Sequence, residues 1–310
     1  DIYGMNKNQI VVGNGAAELL YAICRLPGYT GAFVPAPGFS EYKAALEASR
    51  IPVRDIYYRP REDEHGKPYF EVPYLALETF AAELKGQDGR IIVFLGNPNN
   101  PDGTLLDKNH IRTIASMLKD ANSLLVIDES FIDFVGNDTL QDNEYSMRSL
   151  VNEFDNIIVV HSFTKFYAVP GLRIGAAFSN PLIIEQLNSF IPTWSVNTLA
   201  QSYTEAALND VEYVKRTKQV LHEEQLFMYN SLDTIDGITV YPPSANFMLF
   251  HIEQEGITAE SINEALKKYN MIVRNCDSYM GLNNQWVRVA IKDHDTNVKL
   301  VEKLTDILKV

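Results

Sequence analysis

The chain has 310 residues, enough for one large domain and a smaller second one around a sizeable core. Hydrophobic residues make up 46% and charged residues 22%, which are proportions typical of a soluble globular protein. The net charge of -13, without any run of lysine and arginine, argues against a nucleic-acid partner, and no apolar run approaches the roughly 20 residues of a membrane span.

The two cysteines, Cys24 and Cys276, lie far apart in the chain and lack the C-x-x-C spacing of metal and redox motifs. We interpret them as buried apolar residues of a reducing compartment, which predicts a cytoplasmic location and no metal site. Residues 1–4 carry neither an initiator methionine nor a signal-peptide profile. We therefore expect the printed sequence to begin inside a longer gene product.

Short β-branched runs alternate with amphipathic stretches in the first two thirds of the chain, which is the pattern of an α/β fold. Several apolar runs lack the alternation of a half-exposed strand, as expected where helices cover both faces of a sheet. The predicted strands are 32–34, 91–95, 124–127, 157–160 and 174–178. The predicted helices are 19–25, 42–48, 108–119 and 181–190. This pattern predicts a large domain over residues 1–208, built on a mainly parallel sheet.

The sequence changes character after about residue 205. Residues 210–232 predict one long polar helix rich in Glu, Lys and Gln. The segments predicted after it are strands 237–240, 246–252, 272–274 and 286–290, and helices 258–269 and 296–308. Residues 209–310 are therefore predicted to form an interdomain helix and a smaller α+β domain. Residues 59–67 are interpreted as a charged, solvated loop.

Polar side chains follow three of the predicted strands at the point where each strand ends. Residues 97–103 follow the second strand, Asp128 follows the third, and residues 162–165 follow the fourth. Ligands of open α/β sheets bind at the carboxyl ends of the strands. We therefore expect these side chains to meet in one site.

Lys165 ends the motif Ser-Phe-Thr-Lys, and Arg173 follows eight residues later in Pro-Gly-Leu-Arg-Ile-Gly. An amine, two hydroxyls and a guanidinium together match pyridoxal phosphate, which presents an aldehyde and a phosphate dianion. The amine forms a Schiff base with the aldehyde, and the coenzyme then acts as an electron sink. The hydroxyls and Arg173 hold the phosphate. The alternative is a loop lysine with an unrelated arginine nearby.

Asp128 is the most informative acid in the sequence. A carboxylate at the end of a buried strand is costly unless it is paired, and a pyridinium nitrogen is a suitable partner. That pairing keeps the coenzyme ring protonated and strengthens the electron sink. A salt bridge to an arginine is the structural alternative.

Two further motifs are weaker signals taken alone. The glycines of Gly13-Asn14-Gly15 precede a predicted helix and leave the backbone N–H groups of Ala16 and Ala17 free to meet an anion, where the helix dipole favours phosphate. Such a motif is common before helices that bind nothing. Residues 97–103 have the composition of a simple turn, although their amides leave room for one to face a ligand oxygen.

Together, these motifs resemble the fold-type I pyridoxal-phosphate enzymes, in the histidinol-phosphate aminotransferase branch of the aspartate aminotransferase superfamily. The resemblance covers essentially the whole chain. It implies a three-layer α/β fold, pyridoxal phosphate as cofactor, and a homodimer with a shared active site.

The resemblance also implies residue roles. Lys165 resembles the Schiff-base lysine, Asp128 resembles the acid facing the pyridine nitrogen, and Asn100 resembles the amide on the phenolic oxygen O3′. Phe39 resembles the aromatic stacked on the ring, and Arg288 resembles the arginine that grips the substrate α-carboxylate. The remaining expected cofactor contacts are Gly15, Ala16, Ala17, Phe131, Ser162, Thr164 and Arg173. The remaining expected substrate contacts are Asn14 and Arg274.

A closer resemblance is to the threonine-phosphate decarboxylases of cobalamin biosynthesis, carried by residues 128–134, 164–173, 194–197 and 273–290. Phe131 stands where a tyrosine usually contacts O3′, so that hydrogen bond is lost. Asp102 replaces the threonine of Asn-Pro-Thr-Gly, with no consequence evident from the sequence. The family has an arm before the Gly-Asn-Gly motif that closes the site, and the printed sequence lacks most of it.

The reaction depends on which bond at the substrate Cα stands perpendicular to the pyridine plane. Loss of CO2 gives a decarboxylase, and loss of the α-proton to Lys165 gives an aminotransferase. The resemblance favours decarboxylation of L-threonine O-3-phosphate to aminopropanol phosphate. The alternatives are an aminotransferase of the histidinol-phosphate type and a coenzyme-binding regulatory domain.

Arg274 and Arg288 belong to neighbouring predicted strands. If these strands pair, one cation matches an α-carboxylate and two suit a small-molecule amino acid that also carries a phosphate. The alternative is a pair of surface arginines in salt bridges on this acid-rich chain.

Overall fold

The computed structural model describes residues 2–86, 89–136, 140 and 143–308. The strands are β1 (Ile10–Gly13), β2 (Tyr29–Ala36), β3 (Val53–Tyr57), β4 (Arg59–Glu62), β5 (Pro68–Glu71), β6 (Arg90–Gly96), β7 (Leu124–Asp128), β8 (Ile157–Ser162), β9 (Gly175–Phe178), β10 (Ile238–Val240), β11 (Phe247–Ile252), β12 (Arg274–Asn275) and β13 (Trp286–Ala290). The helices are α1 (Ala16–Ile23), α2 (Glu41–Ala48), α3 (Tyr74–Glu83), α4 (Lys108–Asp120), α5 (Phe163–Phe166), α6 (Pro181–Phe190), α7 (Thr198–Leu208), α8 (Val211–Asp233), α9 (Ala259–Lys267) and α10 (His294–Leu308).

Seven strands form one mixed sheet in the order β1-β9-β8-β7-β6-β2-β3. The neighbours from β8 through β7, β6 and β2 to β3 pair in parallel, whereas β9 runs antiparallel to both β8 and β1. The link from β8 to β9 contains only the single helical turn α5, whereas the crossover of a parallel pair usually contains a full α-helix. The prediction of a mainly parallel sheet is therefore confirmed, with β9 as the reversed strand.

The sheet is the middle of three layers, because successive residues of its central strands enter opposite cores. Ile92 and Phe94 of β6 pack in the core that contains α1, α2 and α6. Val93 and Leu95 pack in the other core, which contains α3 and α4. Strands covered on both faces need no polar face, which explains the continuous apolar runs of the sequence. The three-layer α/β prediction is confirmed.

The residues after α7 build a second sheet, in the order β10-β11-β13-β12, with all neighbours antiparallel. The helices α8, α9 and α10 share a core with this sheet. The long helix α8 begins after Asp210, whose carboxylate accepts a hydrogen bond from the Tyr213 N–H at 2.9 Å. This arrangement agrees with the predicted α+β character of the C-terminal part, while the domain boundary at residue 208 stays a prediction.

Two predicted segments are corrected. Residues 59–67 are not merely a loop, because Arg59–Glu62 pairs with Pro68–Glu71 in a two-stranded antiparallel sheet. All four residues of β4 are exposed, so the strand has no buried face and its sequence shows no alternation of apolar and polar residues. The strand predicted at 272–274 is the shorter β12, at Arg274–Asn275.

Both cysteines are buried and free, as predicted for apolar core residues. Within the described ranges, no helix is both long enough and apolar enough to cross a bilayer.

Candidate active site

Three adjacent strands bring the predicted catalytic lysine and two predicted cofactor contacts to one edge of the seven-stranded sheet. Asp128 is the last residue of β7, and it pairs in register with the last residue of β6, Gly96. Asn100 lies in the turn that follows β6, and Lys165 lies in α5, directly after β8. The expectation that these side chains share the carboxyl edge is confirmed.

Lys165 lies at the wall of an open cleft. Its side chain is accessible to solvent, yet the surrounding walls partly desolvate the ammonium and lower the pKa of Lys165. Asp128 opposes this pKa shift, while Arg173 and Arg288 reinforce it. The ammonium nitrogen lies 4.9 Å from the centroid of the Phe131 ring. A lowered pKa favours the neutral amine, which is the form that attacks an aldehyde.

Asp128 is buried, and uncharged donors surround its carboxylate. Oδ1 accepts hydrogen bonds from the Ser130 N–H at 2.9 Å and from the Ser130 hydroxyl at 2.6 Å, and Oδ2 accepts one from the Tyr42 hydroxyl at 2.9 Å. Neither partner is an arginine, so the described residues do not show the alternative of a salt bridge between Asp128 and an arginine. A carboxylate offers about four acceptor positions, of which these donors occupy three. The remaining position fits a pyridinium N–H.

The predicted phosphate cradle assembles where α1 begins. Gly15 precedes α1 with φ of 81°, which favours glycine, and a Cβ placed on it would lie 2.3 Å from Nη2 of Arg173 and displace that guanidinium. Gly175 of β9 packs directly against the backbone nitrogen of Ala16. Gly175 is also the register partner of Ser162. The guanidinium of Arg173 therefore lies beside the N-terminus of α1, at the same strand end as Ser162.

The hydroxyls of Ser162 and Thr164 are 2.8 Å apart and buried. Ala17 follows Ala16 in the first turn of α1. A helix N-terminus, a hydroxyl pair and a guanidinium are the donor set that a phosphate dianion requires. The residues present thus fit both the phosphate and the ring nitrogen of pyridoxal phosphate.

Phe39 lies two residues before α2 and is half-buried, with its ring edge-on to Tyr42 at 5.7 Å between centroids. Asn14 is exposed, and its backbone N–H donates to Oε2 of Glu18 at 2.6 Å. No contact in the described part of the chain joins Asn14 to either predicted substrate arginine. Its substrate role stays a prediction.

Arg274 and Arg288 are direct partners across β12 and β13, as their predicted pairing required. Arg288 lies over the Phe247 ring, 5.2 Å from its centroid to Cζ. Arg274 donates a hydrogen bond to the Ser278 hydroxyl at 3.1 Å. Neither arginine forms a salt bridge among the residues that the structure describes, so the surface-pair alternative is not observed.

Asn100 links the coenzyme side of the cleft to the substrate side. Its Oδ1 accepts hydrogen bonds from the Tyr279 hydroxyl at 3.1 Å and from Nη1 of Arg288. The cleft has a volume of about 990 Å³, and Lys165, Phe131 and Phe247 line it together with both arginines. The chemistry that these groups support is capture of an aldehyde beside a pair of anion-binding guanidinium groups.

The sequence analysis missed several residues that hold the site together. Tyr42 and Ser130 position Asp128, and Tyr279 contacts Asn100. The effect of Asp102 is now visible, because its carboxylate accepts from the Thr104 N–H at 2.9 Å and from the side-chain amide of Asn99. Asp102 thereby stiffens the turn that carries Asn100. Each of the three residues Tyr42, Ser130 and Tyr279 lies in a segment that the sequence analysis singled out, but no pattern there assigns it a contact.

Known proteins resemble this chain over nearly its whole length. A model of the family described as aminotransferase class I and II matches residues 3–304. The adenosylcobalamin biosynthesis bifunctional protein CobDQ of Leptospira interrogans is 32% identical over 98% of this chain, and the chain spans only 33% of that relative. The threonine-phosphate decarboxylase of Salmonella typhimurium is 32% identical over 96% of this chain and 77% of its own length.

A solved structure agrees with these sequence relatives. The histidinol-phosphate aminotransferase from Clostridium acetobutylicum superposes with a TM-score of 0.85 at 26% identity, over 97% of this chain and 84% of its own. The predicted fold is confirmed by this superposition.

Proposed function

The chain belongs to the aminotransferase class I and II family. From its likeness to relatives named threonine-phosphate decarboxylase, we propose that it decarboxylates L-threonine O-3-phosphate to aminopropanol phosphate in cobalamin biosynthesis. Membership confirms the resemblance stated from the sequence, and it makes pyridoxal phosphate the cofactor. When bound, this coenzyme supplies an electron sink for the bond that breaks at the substrate Cα.

We assign the cofactor contacts on chemical grounds. Lys165 would hold the aldehyde carbon, and its amine would move protons at the substrate Cα. Asp128 would keep a proton on the ring nitrogen, because its open acceptor position and buried setting suit a cationic donor. Arg173 would bind the phosphate with Ser162, Thr164 and the N-terminus of α1. Phe39 would contact the ring.

The observation that carries the choice of substrate is the pairing of Arg274 with Arg288 beside Lys165. A guanidinium binds a carboxylate or a phosphate through two parallel hydrogen bonds, and each of these arginines is free of carboxylate partners within the described residues. Arg288, the more buried of the two, suits the α-carboxylate, and the exposed Arg274 suits a phosphate further out. A substrate with two anionic groups uses both.

The arginine roles make separable predictions. A charge-assisted contact contributes about 1.5–3 kcal/mol, which corresponds to roughly a ten- to hundredfold change in substrate capture. We expect Arg274→Ala to lose that factor in kcat/KM on threonine phosphate while turnover of threonine changes little. Arg288→Ala should lose it on both substrates.

Arg54→Ala, on the exposed side of β3, is the matched control and should leave both substrates unaffected. Equal losses on both substrates in Arg274→Ala would assign Arg274 to the carboxylate or to structure. The residue-level reason for a phosphorylated substrate would then be gone.

The second candidate function is an aminotransferase of the histidinol-phosphate type. It is favoured by the superposition on the Clostridium acetobutylicum enzyme. Histidinol phosphate carries a phosphate but no carboxylate, so it would engage the arginine pair with one anionic group rather than two. The two functions differ in whether the bond to the carboxylate or the bond to the α-hydrogen breaks.

One assay separates these functions and the regulatory alternative. The coenzyme-loaded protein is incubated with threonine phosphate, and in parallel with histidinol phosphate and 2-oxoglutarate. We expect CO2 release from the first and no glutamate from the second. Glutamate without CO2 would establish the aminotransferase, and coenzyme binding without either product would favour the regulatory domain.

We also propose a homodimer, on family likeness. The segment 194–197 that resembles the decarboxylases carries Trp194 at 93% exposure, close to Leu199 in sequence at 74%. Exposed aromatic and aliphatic side chains of this size are typical of protein interfaces.

A further inference from the structure

Tyr279 lies in the loop between β12 and β13 and contacts three of the predicted site residues. Its hydroxyl donates a hydrogen bond to Oδ1 of Asn100 at 3.1 Å. Nη1 of Arg288 lies 3.5 Å from the same hydroxyl. The Arg274 guanidinium lies over the Tyr279 ring, with Cζ 5.7 Å from the centroid. No motif of the sequence assigns this tyrosine a role.

The contacts of Asn100 determine which way its amide faces. An asparagine side chain accepts only through its oxygen and donates only through its nitrogen, and an arginine has no acceptor. The atom that meets Nη1 of Arg288 is therefore Oδ1, and the Tyr279 hydroxyl donates to the same atom. With Oδ1 held on the arginine side, the Nδ2 hydrogens point away from it. They are then available to the phenolic oxygen that Asn100 is proposed to contact.

The ring of Tyr279 acts on a different residue. Arg274 is exposed, and a long exposed side chain samples many rotamers unless something holds it. The Tyr279 ring below the guanidinium and the Ser278 hydroxyl at 3.1 Å hold it on the same face as Arg288. The ring thus places the second cation where a distal anionic group of the substrate arrives.

Backbone hydrogen bonds fix the loop that carries Tyr279. The Tyr279 N–H donates to the Cys276 carbonyl at 3.1 Å, and the Leu282 N–H donates to the Tyr279 carbonyl at 3.0 Å. Gly281, with φ of 88°, brings the loop against the Ala36 carbonyl at the end of β2, where its Cβ position lies 3.7 Å from that oxygen. The tyrosine therefore projects from a fixed backbone towards Asn100 and Arg288.

We propose that Tyr279 is a positioning residue with two separable roles: its hydroxyl orients the Asn100 amide towards the coenzyme, and its ring orients Arg274 towards a distal phosphate of the substrate. The second role rests on the proposed function. The first requires only that the coenzyme is bound.

Tyr279→Phe removes the hydroxyl and keeps the ring. Hydrogen-bond donation from Asn100 stabilises the coenzyme's phenolic oxygen as a phenolate. A less firmly oriented amide should therefore raise the pKa of the bound coenzyme, which is measured by following its visible absorption against pH. We expect the midpoint to rise by about half to one pH unit, the equivalent of one ordinary hydrogen bond. The preference for threonine phosphate over threonine should stay at the wild-type value, because the ring still supports Arg274.

Tyr279→Leu removes both groups. We expect the same rise in the midpoint and, in addition, a loss of about two- to fivefold in the preference for threonine phosphate, carried by KM rather than kcat. Because Tyr279→Phe keeps the ring, it should retain the phosphate preference that Tyr279→Leu loses. Tyr69→Phe, an exposed tyrosine of β5, is the control and should change neither quantity.

An unchanged midpoint in Tyr279→Phe, with circular dichroism and coenzyme affinity like the wild type, would overturn the role of the hydroxyl. Equal losses on threonine phosphate and threonine in Tyr279→Leu would overturn the role of the ring. A shifted midpoint in a protein that does not turn over threonine phosphate would support the hydroxyl role and overturn the proposed substrate. The two failures are therefore distinguishable.

Discussion

Lys165→Ala is expected to abolish the visible absorption of the lysine-bound coenzyme and to lower turnover by about a thousandfold or more. In the proposed function the amine both holds the aldehyde and moves protons at the substrate Cα, and proton transfer alone contributes a factor of about 10²–10⁴ to the rate. No other lysine lines the cleft among the described residues. Absorption spectra of the purified variant with added coenzyme, and its turnover, measure both effects.

Lys43→Ala provides the control. Lys43 pairs with Asp55 at 2.7 Å, where both side chains are half-buried, and neither residue lines the cleft, so its loss breaks an ion pair without touching the coenzyme site. The control should keep the wild-type spectrum and rate. A wild-type spectrum that borohydride still reduces in Lys165→Ala would place the coenzyme on another lysine.

Asp128→Asn is expected to leave the fold intact and to lower kcat by about a hundred- to several-thousandfold. Loss of the charge from a buried ion pair costs about 3–5 kcal/mol. If the ring must stay protonated in the transition state, this cost raises the activation free energy. The asparagine still accepts hydrogen bonds from Ser130 through its oxygen, so the local structure has a reason to persist. Steady-state kinetics and thermal unfolding measure the two effects separately.

Asp55→Asn is the matched control for Asp128→Asn, because Asp55 is a strand carboxylate of the same sheet whose partner is Lys43. It should retain wild-type rates. Near wild-type kcat in Asp128→Asn would show that this aspartate only packs against Tyr42 and Ser130.

The sequence predicted helices and strands well where an element buries one face or both faces. The helix predicted at 181–190 has those bounds, because Asn180 caps it, Pro181 opens it, and Ile184 and Leu187 face the core. The hairpin β4–β5 was missed because its first strand is exposed on both faces. The short helix α5, with only four residues, has no periodicity for a sequence to display.

Some features of the site could likewise be predicted from the sequence, and others could not. The strand ends and the glycine before α1 follow from local sequence, since each depends on residues next to it in the chain. Tyr42 meets Asp128 across 86 residues, and Tyr279 meets Asn100 across 179. Such contacts depend on how the sheets and loops pack together, and no local pattern encodes them.

The central claim is that Lys165 holds the coenzyme, and reductive trapping tests it most directly. The coenzyme-loaded protein is reduced with borohydride, digested, and its peptides are mapped by mass spectrometry. We predict a stoichiometric pyridoxyl phosphate adduct on the peptide that contains Lys165. An adduct on a different lysine, or no adduct on a protein that binds the coenzyme, would contradict the account.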